Sequence, residues 1–332
     1  MAAAAYSRVL SSETLTSMHT TRAALESLGL PSGDLRDLPD SPARFPDGAS
    51  FRIEIPSTEG PRALEAVLEE GARRQVPIHR VSQGSGGFLL TDDELDEMVR
   101  IARDAHVEVS LFARPTASWG PSASARSDIG STVAAAVHGQ EGVVHALDDI
   151  RRSAAHGIRS VLITDVGLLS VFGRLRGNGV LPSDMQAKVS VLLPIANPAT
   201  ARVLVDLGAN TLNLVTDLSL AEIAAIRAVV DAPIDFYIEA PDDAGGFVRL
   251  PELPELIRVA APVYVKFGLR NAPNIYPSGT HLEATAVALS RERVRRAQLA
   301  LELLERAGSN VEMSRPGAAD LAIPAAQELP SG

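Results

Sequence analysis

The sequence predicts an α/β protein, a closed (β/α)8 TIM barrel, on three observations. Eight short apolar or β-branched runs lie between residues 51 and 267, and longer helical patterns separate them. Eight such units over about 250 residues match the size of this barrel. The glycine-rich turn of a dinucleotide-binding open sheet is missing after the first run, where PSTEGP follows Ile55. The barrel is therefore favoured over an open, doubly wound sheet.

The runs have the length of strands, and the segments between them repeat apolar residues at helical spacing. The eight predicted strands are FRIEI (51–55), PIHRVS (77–82), VEVSLF (107–112), SVLIT (160–164), KVSVLL (188–193), TLNLV (211–215), IDFYI (234–238) and PVYVKF (262–267). A long amphipathic helix is predicted after the last run, around residues 291–306.

The chain divides into three predicted parts. Residues 1–50 form an N-terminal extension, with a helix over 11–28 and then a loop rich in proline, aspartate and glycine. Residues 51–307 form the barrel. Residues 308–332 mix proline, alanine, glycine and serine without periodicity, and we expect a flexible, mobile C-terminal tail there.

The composition limits the function classes. The 332 residues carry 31 Lys and Arg against 41 Asp and Glu, a net charge of -10, which disfavours a nucleic-acid partner. The absence of cysteine excludes disulfides, thiolate metal sites, cysteine-bound iron–sulfur clusters and a cysteine nucleophile. MAAAAYSRVL lacks the features of a signal peptide, and no run approaches about 20 apolar residues. We expect a cytoplasmic protein without a membrane partner, and a homo-oligomer is compatible with the sequence.

The polar phase of the runs predicts a charged lumen. Side chains alternate between the faces of a strand, so one phase packs under the helices and the other points into the barrel. Because buried charges are costly unless they pair or face water, we expect an ion-paired lumen that opens at the C-terminal ends of the strands. Purely structural salt bridges are the alternative. The predicted inward residues are Arg52, Glu54, Ser110, Arg114, Lys188, Ser190, Asn213, Asp217, Tyr237, Glu239, Tyr264 and Lys266.

Lys266 is the strongest catalytic candidate. The chain has 29 Arg but only two Lys, and Lys266 lies near the end of the eighth run. A lysine ammonium is compact and its pKa moves readily on burial, which suits a base, an acid or an amine nucleophile. Glu239 and Glu54 are the carboxylates predicted to exchange protons with it. A structural ion pair with either carboxylate is the alternative.

Substrate contacts are predicted at the C-terminal mouth. Arg270 follows the eighth run and Arg114 the third, and the planar fork of each guanidinium could clamp an anion. Residues 114–139 form a long polar connection that we expect to act as a lid, with a plain insertion as the alternative. The other predicted substrate-binding residues are His79, Asn213, Tyr237, Asn271 and Trp119.

A divalent metal is an open alternative, and no motif implies another cofactor. Asp165 follows the fourth run, and with Glu54 and Glu239 it could hold a hard cation through carboxylate oxygens, with His79 as an imidazole ligand. No HExxH or HxxE spacing supports such a site.

Three segments of the second half carry a family resemblance. SVLITDVGLLSVF (160–172), ANPATARVLVDLGANTLNLVTDLSLAEI (196–223) and VKFGLRNAPNIY (265–276) resemble segments of the collagenase-like peptidase family (U32). The matching positions are Asp165, Val166, Gly167, Asn197, Gly208, Ala209, Asp217, Ser219, Glu222, Lys266 and Arg270. The resemblance implies a barrel and a peptidase, and some members are associated with RNA or with small-molecule hydroxylation that uses a cysteine-bound iron–sulfur cluster. Because this chain has no cysteine, it resembles a divergent member to which the cluster chemistry does not transfer.

The leading hypothesis is a barrel enzyme that performs acid–base or hydrolytic chemistry on a small polar or anionic molecule at the mouth. Lys266, Glu239 and Glu54 would move protons while the arginines hold the substrate. A lyase or aldolase, or an isomerase, that uses Lys266 is the first alternative, and a Schiff base is its sharpest form. A non-catalytic subunit that binds a ligand or a partner protein is the second.

Overall fold

Eight parallel strands close into a barrel in the computed structural model, which describes residues 18–33, 38–128 and 130–326. The strands pair in chain order, and the last one closes the barrel against the first. They are β1 Phe51–Ile55, β2 Arg80–Gln83, β3 Glu108–Phe112, β4 Ser160–Ile163, β5 Gln186–Val189, β6 Thr211–Asn213, β7 Ile234–Glu239 and β8 Val263–Phe267. The predicted (β/α)8 barrel is confirmed.

Helices alternate with the strands. They are α1 Met18–Ser27, α2 Gly60–Arg74, α3 Asp92–Asp104, α4 Gly139–Ala155, α5 Val166–Gly177, α6 Pro198–Asp206, α7 Leu220–Arg227, α8 Leu253–Ala260 and α9 Glu283–Arg306. Two of them begin at reciprocal side-chain caps: Thr91 with Glu94 opens α3, and Ser219 with Glu222 opens α7. Within the described part of the chain, no helix is both long and apolar enough to cross a membrane.

The main hydrophobic core lies between the sheet and the helices. The outward phase of the strands fills it, as the alternation predicts: Ile53, Val109 and Phe236 are each at most 1% exposed. Since this phase takes up the apolar residues, the opposite phase leaves the polar residues to fill the inside of the barrel.

The fifth strand ends earlier than its run of apolar residues predicts. It stops at Val189 instead of continuing to residue 193. The chain turns there, and the Leu193 N–H donates to the Ser190 carbonyl at 3.0 Å. The apolar residues of the predicted extension therefore belong to the loop after β5.

The N-terminal extension reaches the floor of the barrel, which is the end where the strands begin. Helix α1 lies within the predicted helix 11–28, and residues 11–17 lie outside the described residues. Farther along, the Phe45 ring meets the Tyr264 ring edge-on, with centroids 5.3 Å apart. With Leu321 these two rings form a second, small core under the barrel.

Residues 308–326 differ from the predicted mobile tail, of which residues 327–332 lie outside the described part. The Ser314 N–H donates to the Phe51 carbonyl at 3.0 Å, and an isolated bridge joins Phe51 to Met313. The segment thus runs beside the start of β1. Its composition does not predict this, because its pairing partner lies more than 250 residues away in the sequence.

Arg52 supplies the physical reason for this docking. Its side chain points into the barrel from β1 and is fully buried, so its guanidinium needs a carboxylate. Asp320 provides both oxygens, at 2.6 and 2.9 Å, and the Ser314 hydroxyl accepts from Nε at 2.8 Å. The C-terminal segment therefore closes the floor by completing an ion pair.

Candidate active site

An ion-pair network fills the centre of the lumen. Arg80 on β2 donates to Glu54 on β1 at 2.6 Å and also contacts Asp235 on β7. Glu108 on β3 lies 3.6 Å from the same guanidinium. All four side chains are at most 1% exposed. Charges this far from water require the alternation of cations and anions that the network provides.

Lys188 on β5 joins this network between two carboxylates. Its Nζ contacts Glu54 directly and lies 3.4 Å from Asp235. Burial, together with the nearby Arg80 charge, lowers the pKa of Lys188 to about 7. Burial alone would raise the pKa of Glu54, but the surrounding cations hold it well below its ordinary value. Near neutral pH, therefore, Lys188 can lose its proton while Glu54 stays ionised.

Lys266 lies at the C-terminal end of the same network. Its Nζ is 3.5 Å from Glu54 and 4.1 Å from the centroid of the Tyr237 ring. With the Asn213 amide oriented so that its oxygen faces the ammonium, Asn213 accepts from Nζ at 2.8 Å. Strand pairing brings two of these neighbours together, because Lys266 is in register with Glu54 on one side and Tyr237 on the other. The structure thus gathers three other predicted site residues around the Lys266 amine.

Glu239, the second predicted proton partner of Lys266, binds elsewhere. Its Oε2 lies 3.0 Å from Nε of Arg296 on α9, and its Oε1 accepts from the backbone N–H of Arg270 at 3.1 Å. The register between β7 and β8 shifts between Tyr237 and Glu239, which breaks the simple alternation. This bulge is the physical reason why Glu239 belongs to the rim and not to the Lys266 cluster.

Arg114 lies at the mouth, as predicted, and Trp119 lies with it. The guanidinium carbon is 3.8 Å from the centroid of Phe112 and 4.1 Å from that of Trp119. Its Nε donates to the Gly84 carbonyl at 3.0 Å. Burial lowers the pKa of Arg114 to about 10. The loop after β3 therefore stacks on this arginine, and its predicted role as a lid remains a prediction.

His79 lies at the floor, opposite the predicted substrate mouth, and this corrects its placement. Its Nδ1 accepts from the Ile53 N–H at 3.1 Å, and its Nε2 donates to the Ser314 carbonyl at 2.8 Å. Burial lowers its pKa to about 4. Both ring nitrogens form hydrogen bonds with backbone groups, so these contacts account for His79 at the floor without a bound substrate.

Asp165 caps a helix, and this accounts for both of its carboxylate oxygens. One oxygen accepts from the Leu168 N–H at 2.8 Å at the start of α5, and the other from the Val137 N–H at 3.2 Å. The predicted metal set with Glu54 and Glu239 is not assembled, and no group of three His, Asp or Glu side chains in the described residues is placed to hold a metal ion.

Arg270 and Asn271 point away from the lumen cluster. The Arg270 side chain is 57% exposed, and its Nε lies 3.8 Å from Asp242. Asn271 adopts a left-handed backbone conformation with φ 56°, and its N–H donates to the same Asp242. The turn after β8 carries both side chains outward, so the predicted anion clamp at Arg270 does not face Lys266.

Two groups at the mouth, Glu59 and Arg293, were missed by sequence reasoning. Glu59 follows β1 and accepts from the N–H groups of Gly84 at 2.7 Å and Ser85 at 3.1 Å, and burial raises its pKa. The second is Arg293, which is 4% exposed on α9, and both lie near Tyr276 in the loop after β8. Arg293 could have been found, because it lies on the buried helical stripe of α9. That stripe comprises Ala286, Ser290, Arg293, Val294, Ala297, Ala300 and Leu304.

Two surface grooves lie away from this cluster, on the outside of the helix ring. One, of about 410 Å³, is lined by α2 and α3 residues such as Leu68 and Ile101. The other, of about 280 Å³, lies by α5 and α6 near Val166 and Val203. Neither contains the convergent charged groups of the lumen, so the lumen and its mouth remain the candidate site.

The comparisons with known proteins concern the fold. The sequence matches no family model and no curated protein. Similar solved structures include the U32 peptidase Mk0906, at 16% identity over 60% of this chain and 73% of that chain, with a TM-score of 0.39. A truncated 3-deoxy-D-arabino-heptulosonate 7-phosphate synthase from Thermotoga maritima is 14% identical over 80% and 91% of the two chains, with a TM-score of 0.44. At these values the likeness carries no functional argument, and the resemblance to the peptidase family stays a prediction.

Proposed function

We propose that the protein is an enzyme that transfers protons to and from a small anionic substrate at the C-terminal mouth of the barrel. Lys266 is the group that meets the substrate, and Lys188 and Glu54 belong to the same ion-pair network. One observation carries this proposal. Both lysines of an arginine-rich chain, 78 residues apart in the sequence, converge on the single buried carboxylate of Glu54.

The choice of lysine supports proton transfer over a purely structural network. An arginine stays protonated in proteins, whereas a buried lysine changes its charge state within the physiological pH range. The Arg80 guanidinium already serves the structural role by bridging Glu54 and Asp235. Two further permanent cations would suffice for pairing alone, yet the sequence places its two titratable amines here.

Glu54 acts as the counter-ion in this scheme. Because the surrounding cations hold its pKa well below its ordinary value, Glu54 stays ionised at neutral pH and is a weak base. Proton exchange therefore falls to the amines, and Lys188, with a pKa of about 7, is the one that is partly neutral. Asn213 and Tyr237 fix the Lys266 ammonium from two further sides.

The decisive measurement is an NMR pH titration of the two lysines. Protein labelled with 13Cε-lysine gives two signals, since the chain has two lysines. We expect one signal to titrate near pH 7, and Lys188→Arg to remove it. Glu54→Gln should move this midpoint to lower pH, because the ammonium loses its counter-ion. Two midpoints near the ordinary 10.5 would refute the proposal.

A lyase of the Schiff-base type is the second candidate, and the lowered pKa of Lys188 favours it. A neutral amine beside other cations is the form that attacks a carbonyl carbon. Borohydride reduction with pyruvate should then leave a mass adduct on one lysine peptide, lost in Lys188→Arg or Lys266→Arg. A protein that gives no adduct with pyruvate, yet retains the NMR midpoint near 7, performs acid–base chemistry without this intermediate.

A further inference from the structure

Arg293 on α9 is a buried guanidinium that no carboxylate among the described residues pairs with directly. Its Nη1 donates to the Ser57 carbonyl at 3.2 Å, and its Nε has no hydrogen-bond partner. The side chain is 4% exposed. A cation in this position pays a desolvation penalty that one carbonyl contact does not offset.

Arg114 is a second buried guanidinium for which the described parts of the chain provide no directly paired carboxylate. Apart from the stacking rings, it contacts the Gly84 carbonyl and, at 2.8 Å, the Thr116 hydroxyl. Glu59 and Tyr276 act electrostatically on both arginines, so the two cations share one neighbourhood at the mouth. Two guanidinium groups that lack a directly paired carboxylate in the described residues, with Glu59 as their shared nearby carboxylate, make this neighbourhood attractive to an anion.

This neighbourhood reaches the surface between the loops after β1, β2 and β8. Ser57, Gly84 and Tyr276 are all partly exposed there. The Tyr276 hydroxyl donates to the Ser57 hydroxyl, and its ring lies against Gly84, where a larger residue would collide with it. The phenol thus lies beside the two residues, Ser57 and Gly84, whose carbonyls accept from Arg293 and Arg114.

We propose that Arg293 and Arg114 form a subsite for the oxyanion of the substrate, a carboxylate or a phosphate group. The inference deepens the proposed function, on which it rests, by naming the group that binds and the residues that hold it. The free Nε of Arg293 lies on one of the edges with which a guanidinium grips two oxygens of such an anion. Tyr237 connects the subsite to the reacting amine, because it acts electrostatically on Arg293 and covers Lys266.

Glu59 opposes anion binding in this subsite. Its carboxylate takes the Gly84 and Ser85 N–H groups and adds negative charge near both arginines. Replacing it with glutamine removes the charge and keeps one oxygen acceptor, which serves one of the two N–H groups that the carboxylate accepts from. Glu59→Gln should therefore bind an anion more tightly than the unmodified protein, while Arg293→Gln should bind it more weakly.

The single tryptophan provides the readout, because Trp119 stacks on Arg114. The full-length protein is titrated with inorganic phosphate and, separately, with pyruvate, at constant ionic strength set by chloride. We expect a saturable change in Trp119 fluorescence with at least one of them. Arg293→Gln should raise the Kd about tenfold, the worth of one charged hydrogen bond, and Glu59→Gln should lower it. Arg291→Gln, an exposed neighbour paired with Glu69, should leave the Kd unchanged.

Saturation by phosphate alone assigns a phosphate ester, and saturation by pyruvate alone assigns a carboxylate. A response to both anions that matches the chloride control, or equal affinity in Arg293→Gln and the unmodified protein, overturns the proposal. If Arg293→Gln does not fold, the gain in Glu59→Gln decides, since an unchanged or weaker affinity there also overturns it. Lys266→Arg should keep the anion affinity, so the subsite and the proton-transfer function can fail separately.

Discussion

At the scale of single residues, His79 is a histidine kept neutral by its surroundings. The folded protein gives it a pKa of about 4, whereas the ordinary value of 6.5 applies to the unfolded chain. Between these two values the unfolded chain binds a proton that the folded protein does not. The stability that His79 contributes is therefore complete above about pH 6.5 and is lost as the pH falls toward 4.

His79→Gln tests this linkage. Glutamine can accept from the Ile53 N–H and donate to the Ser314 carbonyl, but it does not titrate. Between about pH 6.5 and pH 4 we expect the free energy of unfolding to fall by about 3 kcal/mol less in the variant than in the unmodified protein, in urea titrations at both pH values. The exposed His145→Gln is the control, and an equal fall in both variants would contradict the assignment.

Residue-level prediction worked where the strand geometry is regular. Alternation alone places Glu54, Lys188 and Lys266 inside the barrel, and the structure finds them on one carboxylate. It misplaces the partner of Glu239, because the bulge in β7 is a property of the pairing with β8. Arg293 escaped notice because three other arginines in RERVRR surround it, and those three are more exposed than Arg293.

At the scale of elements, Asp165 links the start of α5 to the loop of residues 114–139. One oxygen caps the helix and the other holds the Val137 N–H. Asp165→Ala should lower the free energy of unfolding by about 1 kcal/mol and also speed proteolysis within the loop. Asn197→Ala removes the matching cap of α6, at the Thr200 N–H, without touching that loop.

The two variants are compared by urea unfolding and by limited trypsin digestion. We expect both variants to lose a similar free energy of unfolding. We expect trypsin to cleave faster at Arg126 only in Asp165→Ala. Equal cleavage rates in both variants would show that the tether does not order the loop.

Element-level prediction located all eight strands but not all of their ends. Short β-branched runs between helical patterns are a local property, so each strand could be recognised by itself. The end of β5 could not be recognised in this way. The turn at Ser190 interrupts the hydrogen bonding between strands, but the run of apolar residues continues through it. Helix starts at Thr91, Asp165 and Ser219 follow from their own side chains.

At the scale of the whole molecule, the C-terminal segment completes the floor through Asp320. Asp320→Asn leaves the Arg52 guanidinium buried with the Ser314 and Tyr264 hydroxyls and a carboxylate of Asp47 at 3.9 Å. Asp320 is 32% exposed, so we discount the usual cost of breaking a buried pair and expect a loss of about 2 kcal/mol.

Thermal unfolding checks this prediction, and Glu312→Gln provides its control in the same segment. The Glu312 side chain is exposed, and its carbonyl accepts from the N–H groups of Ser50 at 2.7 Å and Phe51 at 3.2 Å. A melting temperature lowered equally in both variants would mean that the Arg52 pair contributes nothing of its own.

The barrel could be predicted from the sequence, because eight alternating strand and helix units match its size. The closure of its floor by the C-terminal segment could not be predicted. The segment 308–326 is rich in proline, alanine and serine and has no periodic pattern. Its position is fixed by backbone pairing with β1 and by the ion pair with the buried Arg52. The need of Arg52 for a carboxylate can be recognised only when the position of β1 in the barrel is known.

The closed floor leaves the barrel blocked at the end where its strands begin. Arg52, Phe45 and Leu321 fill the end where the strands begin, so we expect a molecule that reaches Lys266 to enter from the C-terminal mouth. In the proposed enzyme, a product would then leave through the same mouth by which the next substrate enters. Turnover should accordingly slow as product accumulates, in competition with substrate for the same arginines.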